Sequence, residues 1–137
     1  MKFTKTLAAA AATVLLGTSA MHAAELRLSH QFSESDLRHE VAQMVADEVA
    51  AADVDLDIKI FPTQSLFKAR EQYKPLARGQ VDMIVFPLAY AGGLRNPYNL
   101  TLMPGLVKNH DHAARLNDSE FMDEIEAILN EDDVMTL

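Results

Sequence analysis

Apolar and polar positions along this chain follow two periods, and the switches between them mark its elements. Leu26 and Leu28 alternate with Glu25, Arg27 and Ser29 in a short run ending at His30, the two-residue period of a strand. After a loop of Gln31, Phe32, Ser33 and Glu34, the apolar residues Leu37, Val41, Met44, Val45 and Val49 recur at helical spacing to about Ala52. Ser35 stands where a helix cap belongs and Asp36 falls in the favourable first turn, while Arg38, Glu40, Asp47 and Glu48 make a solvated face. Residues 53–61 return to alternation, acidic against apolar with Lys59 as the one base, which predicts a strand with one wet face near a sheet edge, ended by Pro62. A second helix is predicted from about Phe67 to Arg78. Pro75 inside it lacks a backbone donor and should kink it or split it in two, and Gly79 closes it.

Residues 81–86 differ from both patterns. They are apolar apart from Asp82, too short for a buried helix, and bounded by Gly79 and Pro87, which predicts a strand buried on both faces at the centre of the sheet. The order strand, helix, strand, helix, strand is two βα units, so the expected fold is α/β: a mostly parallel sheet with flanking helices and right-handed crossovers. Beyond Tyr90, Gly92, Gly93, Pro97, Pro104 and Gly105 punctuate a loop-rich stretch. A short helix is predicted around residues 111–116. Asp118 or Ser119 then caps a better one, with Phe121, Met122, Ile125, Ile128 and Leu129 as its apolar stripe, and residues 134–137 read as the start of a further strand.

Composition narrows what such a domain can do. A length of 137 residues suits one small domain, and a net charge of −8 argues against nucleic acid or an anionic membrane surface as partner. With no cysteine, disulfides and thiolate metal sites are excluded. Residues 1–24 read as a secretory signal peptide: Lys2 and Lys5 form a basic start, residues 7–16 an apolar core, and Ala23 and Ala24 a cleavage point. Its removal takes two lysines with it, moving the charge from −8 to −10. No stretch reaches the ~18 uninterrupted apolar residues of a membrane span, so the cleaved chain is not expected to span one.

No catalytic motif stands out: there is no nucleophile elbow, no phosphate-cradling glycine loop and no His-Glu-x-x-His. His110, Asp111 and His112 form the one His/Asp cluster, too small a ligand set to imply a metal, and no cofactor is implied. His30, at a strand end, reads as a hydrogen-bonded loop residue. What remains is the set of strand ends: His30, Gln31 and Phe32; Pro62, Thr63 and Gln64; and residues 86–90. In a parallel sheet these emerge on one side, offering amides, aromatics and the nearby Arg70. That surface suits binding a small polar molecule.

Taken in order, a signal peptide, Leu26-Arg27-Leu28-Ser29-His30, an amphipathic helix, Phe61-Pro62, Gln64-Ser65-Leu66, Gly79-Gln80-Val81-Asp82-Met83, Leu102-Met103-Pro104-Gly105-Leu106 and His110-Asp111-His112-Ala113 form a combination. This combination resembles the N-terminal part of the DctP-type solute-binding proteins of tripartite ATP-independent periplasmic (TRAP) transporters. The resemblance implies one incomplete lobe, residues 25–137, of a two-lobed type II periplasmic binding protein. Such a protein captures a small carboxylate of the C4-dicarboxylate kind in the periplasm for a TRAP membrane permease and is not an enzyme. It places Gln31, Gln64, Arg70, Phe86 and Tyr90 on the cleft: the glutamines as hydrogen-bonding groups, Arg70 as the carboxylate's partner, and Phe86 and Tyr90 as an apolar wall. The family's characteristic substrate-pairing arginine has no counterpart here. The usual glycine before the second strand is also absent from Ala51-Ala52-Asp53-Val54. The competing reading is a small secreted enzyme or self-contained interaction domain with the same βαβ core.

Overall fold

A computed structural model describes residues 23–137. The signal-peptide expectation therefore lies almost wholly outside the described residues. Three parallel strands, β1 (Ala24–His30), β2 (Leu56–Phe61) and β3 (Met83–Val85), form a sheet of order β2-β1-β3. Helix α1 (Leu37–Ala51) connects β1 to β2, and the five-residue α2 (Tyr73–Ala77) precedes β3. Two 3-10 helices follow, Leu88–Ala91 and Asn96–Leu102, then α3 (His110–Asn117) and α4 (Glu120–Asn130). Among the described residues no helix is long and apolar enough to cross a membrane.

The α/β architecture is as the sequence predicts, but the strand order is not. β1 is the centre: Leu26 pairs with Ile58 on one side, and Leu28 to His30 pair with Met83 to Val85 on the other. β2 is an edge, as its acidic alternation suggests. The run 81–86 shrinks to three half-buried residues on the opposite edge of this sheet. Val81 is buried before the strand begins. Asp82, just before the strand, is tied to β1 through both backbone and side chain: its N–H donates to the Arg27 carbonyl at 3.1 Å, and Oδ2 accepts from the backbone N–H of Arg27 at 2.8 Å and from its Nε at 3.1 Å. An apolar run thus reports burial, not sheet membership.

Four smaller corrections have local causes. Asp36, not Ser35, caps α1, its carboxylate accepting from Arg38 N–H at 2.9 Å. β2 starts at Leu56 because Asp53 and Asp55 adopt φ near +50° in the preceding turn. Pro75 falls in the first turn of α2, where its missing N–H costs little, so the long kinked helix reduces to this one short segment. Gly79 at φ 65° then lets its own N–H and that of Gln80 reach back to Leu76 and Pro75. Residues 134–137 form no strand. A turn with Asp133 at φ 56° tucks Val134 into the core instead.

Two apolar clusters hold these elements. Leu28, Ala42, Ala46 and Ile58 join α1 to the sheet. Tyr73, Ala91, Tyr98, Ile125, Leu129 and Val134 join α2, the 3-10 helices and α4, with Phe86 and Leu88 packed against them. The second cluster contains a satisfied polar chain: the Tyr73 and Tyr98 hydroxyls lie 2.9 Å apart, Tyr73 donates to Asp132 at 2.9 Å, and Arg95 donates to Asp132 at 2.6 Å. Burial pushes the Tyr73 hydroxyl up, and the Arg95 guanidinium holds the Asp132 carboxyl below its usual range.

Candidate ligand site at the strand ends

Because all three strands run the same way, their carboxyl ends deliver their loops to one side of the sheet. The first two loops are bonded together. Gln64 N–H donates to the carbonyl of His30 at 3.0 Å and Thr63 N–H to that of Phe32 at 2.9 Å. Thr63 and Gln64 hold φ of 55° and 60°, a left-handed pair costly for residues with side chains and kept in place by these bonds. Such stored strain gathers at ligand sites more often than elsewhere.

The second and third loops meet through Arg70. Its guanidinium carbon lies 4.6 Å from the centroid of the Tyr90 ring, and Tyr90 meets Phe86 edge to face at 5.8 Å and 87°. Phe86 in turn leans on Tyr73 at 6.3 Å. Arg70 is exposed and Phe86 and Tyr90 are half-buried, so a cation stands over an aromatic floor that the core supports. A guanidinium over a ring face keeps its N–H donors, which lie in its own plane, free for a carboxylate.

The five predicted site residues thus divide. Arg70, Phe86 and Tyr90 come together. The two glutamines sit at the predicted strand ends, but each is engaged within the protein. Gln64 Oε1 accepts from Ala69 N–H at 2.9 Å and shapes the loop that carries Arg70. Gln31 Oε1 accepts from Nε2 of Gln72 at 3.0 Å, and Gln72 is fully buried. Gln31 Nε2 and Gln72 Oε1 are left in the interior without protein partners.

Two residues at this end escape a reading of sequence. One is Gln72, which lies within a predicted helix and carries no local sign of burial. The other is Arg38, assigned to a solvated face. Its guanidinium stacks 3.6 Å from the Phe32 ring centroid and donates twice to Asp36, at 2.7 and 2.6 Å. The pair lowers Asp36 to about 2 and raises Arg38, whose charge also interacts with Tyr90. The signal available was an aromatic, Phe32, and a capping aspartate, Asp36, both within a few residues of an arginine.

The remaining candidates lie elsewhere in role. His110 and His112 open α3, and His112 Nδ1 accepts from Lys108 N–H at 3.2 Å. Among the described residues no group of three His, Cys, Asp or Glu side chains is placed to share a metal ion. His30 is no loop residue: it ends β1 fully buried, with Nε2 3.1 Å from Nδ1 of His39.

Known proteins resemble this chain in sequence and fold. Residues 28–137 match the family described as DctP, bacterial extracellular solute-binding protein, family 7. A solute-binding protein of Albidiferax ferrireducens is 34% identical over 110 residues, 76% of this chain but 32% of that protein. The 2,3-diketo-L-gulonate-binding periplasmic protein of Escherichia coli is 27% identical over 82% of this chain and 34% of its own length. A crystal structure of a TRAP periplasmic solute-binding protein from Rhodoferax ferrireducens with bound malonate superposes with a TM-score of 0.74 at 33% identity. It covers 78% of this chain and 36% of that one. The chain thus spans about a third of the length of the relatives it matches. Its three-stranded parallel sheet with flanking helices matches a lobe of a TRAP solute-binding protein, and the chain belongs to the DctP family of bacterial extracellular solute-binding proteins.

Proposed function

We propose that this chain supplies one wall of the ligand cleft of an extracytoplasmic TRAP receptor, a protein that captures a small organic carboxylate and passes it to a membrane permease without transforming it. The observation that carries this reading is Arg70 over Tyr90, with Tyr90 edge-on to Phe86, at the carboxyl ends of parallel strands. Arg70 pairs with the carboxylate, and Phe86 and Tyr90 pack against its carbon skeleton. Gln31 and Gln64 shape the site through the bonds that their Oε1 atoms accept from Gln72 and Ala69, which leaves the Nε2 donor of each for the ligand. The related protein with bound malonate and the one named for 2,3-diketo-L-gulonate support a carboxylate, and a C4-dicarboxylate is the substrate we infer. A periplasmic location follows if residues 1–23 are removed. Cleavage before Ala24 is favoured over cleavage after it, because Ala24 pairs with Leu56 in β1 and its N–H donates to Asp55 at 2.9 Å.

One wall alone binds weakly. Good small-molecule sites bury most of the ligand surface, and a charge of −10 repels a dianion at long range. A single exposed ion pair contributes ~0–1 kcal/mol, whereas micromolar affinity needs roughly 8 kcal/mol. Titration of the chain lacking residues 1–23 with malonate, malate, succinate and fumarate should therefore give dissociation constants of about 1 mM or weaker, abolished by Arg70→Ala. Binding indifferent to Arg70→Ala would remove the proposed site. Micromolar binding lost in that variant would show that this wall is a receptor in itself.

A further inference from the structure

Behind the strand-end site lies a buried pair that the proposed role does not use. His30 ends β1 with no exposed surface, and its Nε2 lies 3.1 Å from Nδ1 of His39 on α1. The rings meet edge to face at 5.3 Å. His30 also stacks on Phe32 at 5.9 Å, the ring over which Arg38 sits, and its backbone carbonyl is the anchor for Gln64 N–H. Both bonded loops therefore hang on the position of this one residue.

The remaining nitrogen of His30, Nδ1, is buried without a partner, and this fixes the proton pattern. A bridge between two imidazoles holds one proton. A bare lone pair in the interior is easier to bury than a charged ring with an unpartnered N–H. The neutral arrangement that satisfies both has His30 donating through Nε2 to His39 Nδ1, with the second proton on the outer nitrogen of the half-buried His39. Adding a proton then has two outcomes. Either Nδ1 of His30 acquires an N–H in the interior, where it has no partner, or His39 Nδ1 is protonated and the bridge must open. The charged groups facing the pair are Asp36, whose carboxylate favours the charged ring, and its partner Arg38, held to it by two hydrogen bonds at the start of α1.

We propose that the His30–His39 bridge is a positioning element for the strand-end site, closed at neutral pH and opened by mild acid, so that the site loses its ligand as pH falls; this rests on the carboxylate-binding reading above. Burial, then the neighbouring His39, holds His30 below the ordinary value of 6.5. A base whose folded value is lowered gives stability that is present above 6.5 and lost as pH falls through the folded value. Opening releases the His30 carbonyl from Gln64 and frees Phe32 together with Arg38.

The test pairs ligand titration with the protonation state itself. For malonate and succinate, affinity of the unmodified chain should fall about tenfold between pH 7.5 and 5.5, equivalent to about 1.4 kcal/mol. His39→Asn places an amide oxygen where Nδ1 accepts but cannot take up a proton. It should bind as the unmodified chain does at pH 7.5 and lose most of the acid sensitivity. An unchanged pH profile in this variant overturns the proposal. Should neither carboxylate bind measurably at any pH, which weak binding by one wall allows, nitrogen-15 spectra of the imidazoles still decide the bridge. His30 must then show an Nε2–H tautomer at pH 7 and titrate below the ordinary histidine range, together with a shift of the Gln64 amide. Titration at the ordinary value with a still Gln64 amide refutes it.

Discussion

Helices α1 and α4 carry the same kind of signal and use it in opposite ways. In α4 the stripe Phe121, Met122, Ile125, Ile128 and Leu129 turns inward, and Ile125 and Leu129 are each 2% exposed. In α1 the equivalent stripe turns largely outward: Leu37 is 71% exposed, Met44 64% and Val41 50%. What α1 lays on the sheet is Ala42 and Ala46, flanked by half-buried His39 and Val49. The spacing of these four is also helical. Small side chains let the helix backbone approach β1 and β2 closely, and close approach brings His39 to His30. Periodicity therefore establishes that a segment is helical, while the face that packs is chosen by what lies opposite.

The largest effect should come from α4. Ile125→Ala removes a fully buried side chain from the cluster around Tyr98 and leaves a cavity that well-packed neighbours fill poorly, at a cost of about 2–5 kcal/mol. Thermal or urea unfolding measures it. A cost below about 1 kcal/mol would mean that the α4 stripe is not the core it resembles, and the contrast with α1 would collapse.

Next comes the alanine face of α1. Ala46→Leu inserts three heavy atoms between helix and sheet and should destabilise by about 1–3 kcal/mol, although leucine forms helix nearly as well as alanine. It should also disturb the His30–His39 contact, visible as a change in the imidazole signals. A neutral or stabilising result would show that the conspicuous stripe, not the alanines, faces the sheet in solution.

The same contrast explains how much of the molecule could be read from its sequence. β1, α1, β2 and α4 were legible because each keeps one period long enough to exclude the other, and Pro62 and Gly79 punctuate them. Parallel strands then place their carboxyl ends together, which is why Arg70 could be grouped with Phe86 and Tyr90 from two separate segments. Strand order was not legible, because nothing local distinguishes Val81, buried in a loop, from Leu28, buried in the central strand. The segment from Phe67 to Gln72 has a helical pattern but is shaped by side-chain bonds outside that pattern, the local Gln64 to Ala69 and the distant Gln31 to Gln72. Arg38 was hidden for a related reason: its partner Phe32 lies across a turn, outside any periodic pattern.

The smallest effect should come from the outward stripe. Met44→Gln exchanges two unbranched residues of similar helix propensity at the most exposed of the positions that line the shallow apolar groove of Val41, Met44, Val45 and Val49. With 64% of its surface in water, Met44 has little burial to lose, and surface substitutions of this kind stay within about 0.5 kcal/mol. Unfolding midpoints of the two proteins should therefore nearly coincide, at any protein concentration. A loss above about 1 kcal/mol would require that the side chain be buried in solution against something other than its own sheet. If that loss grew with protein concentration, the cover would be a second copy, since stability gained through association depends on concentration. Either result would turn the difference between α1 and α4 from packed against unpacked into packed within the chain against packed outside it.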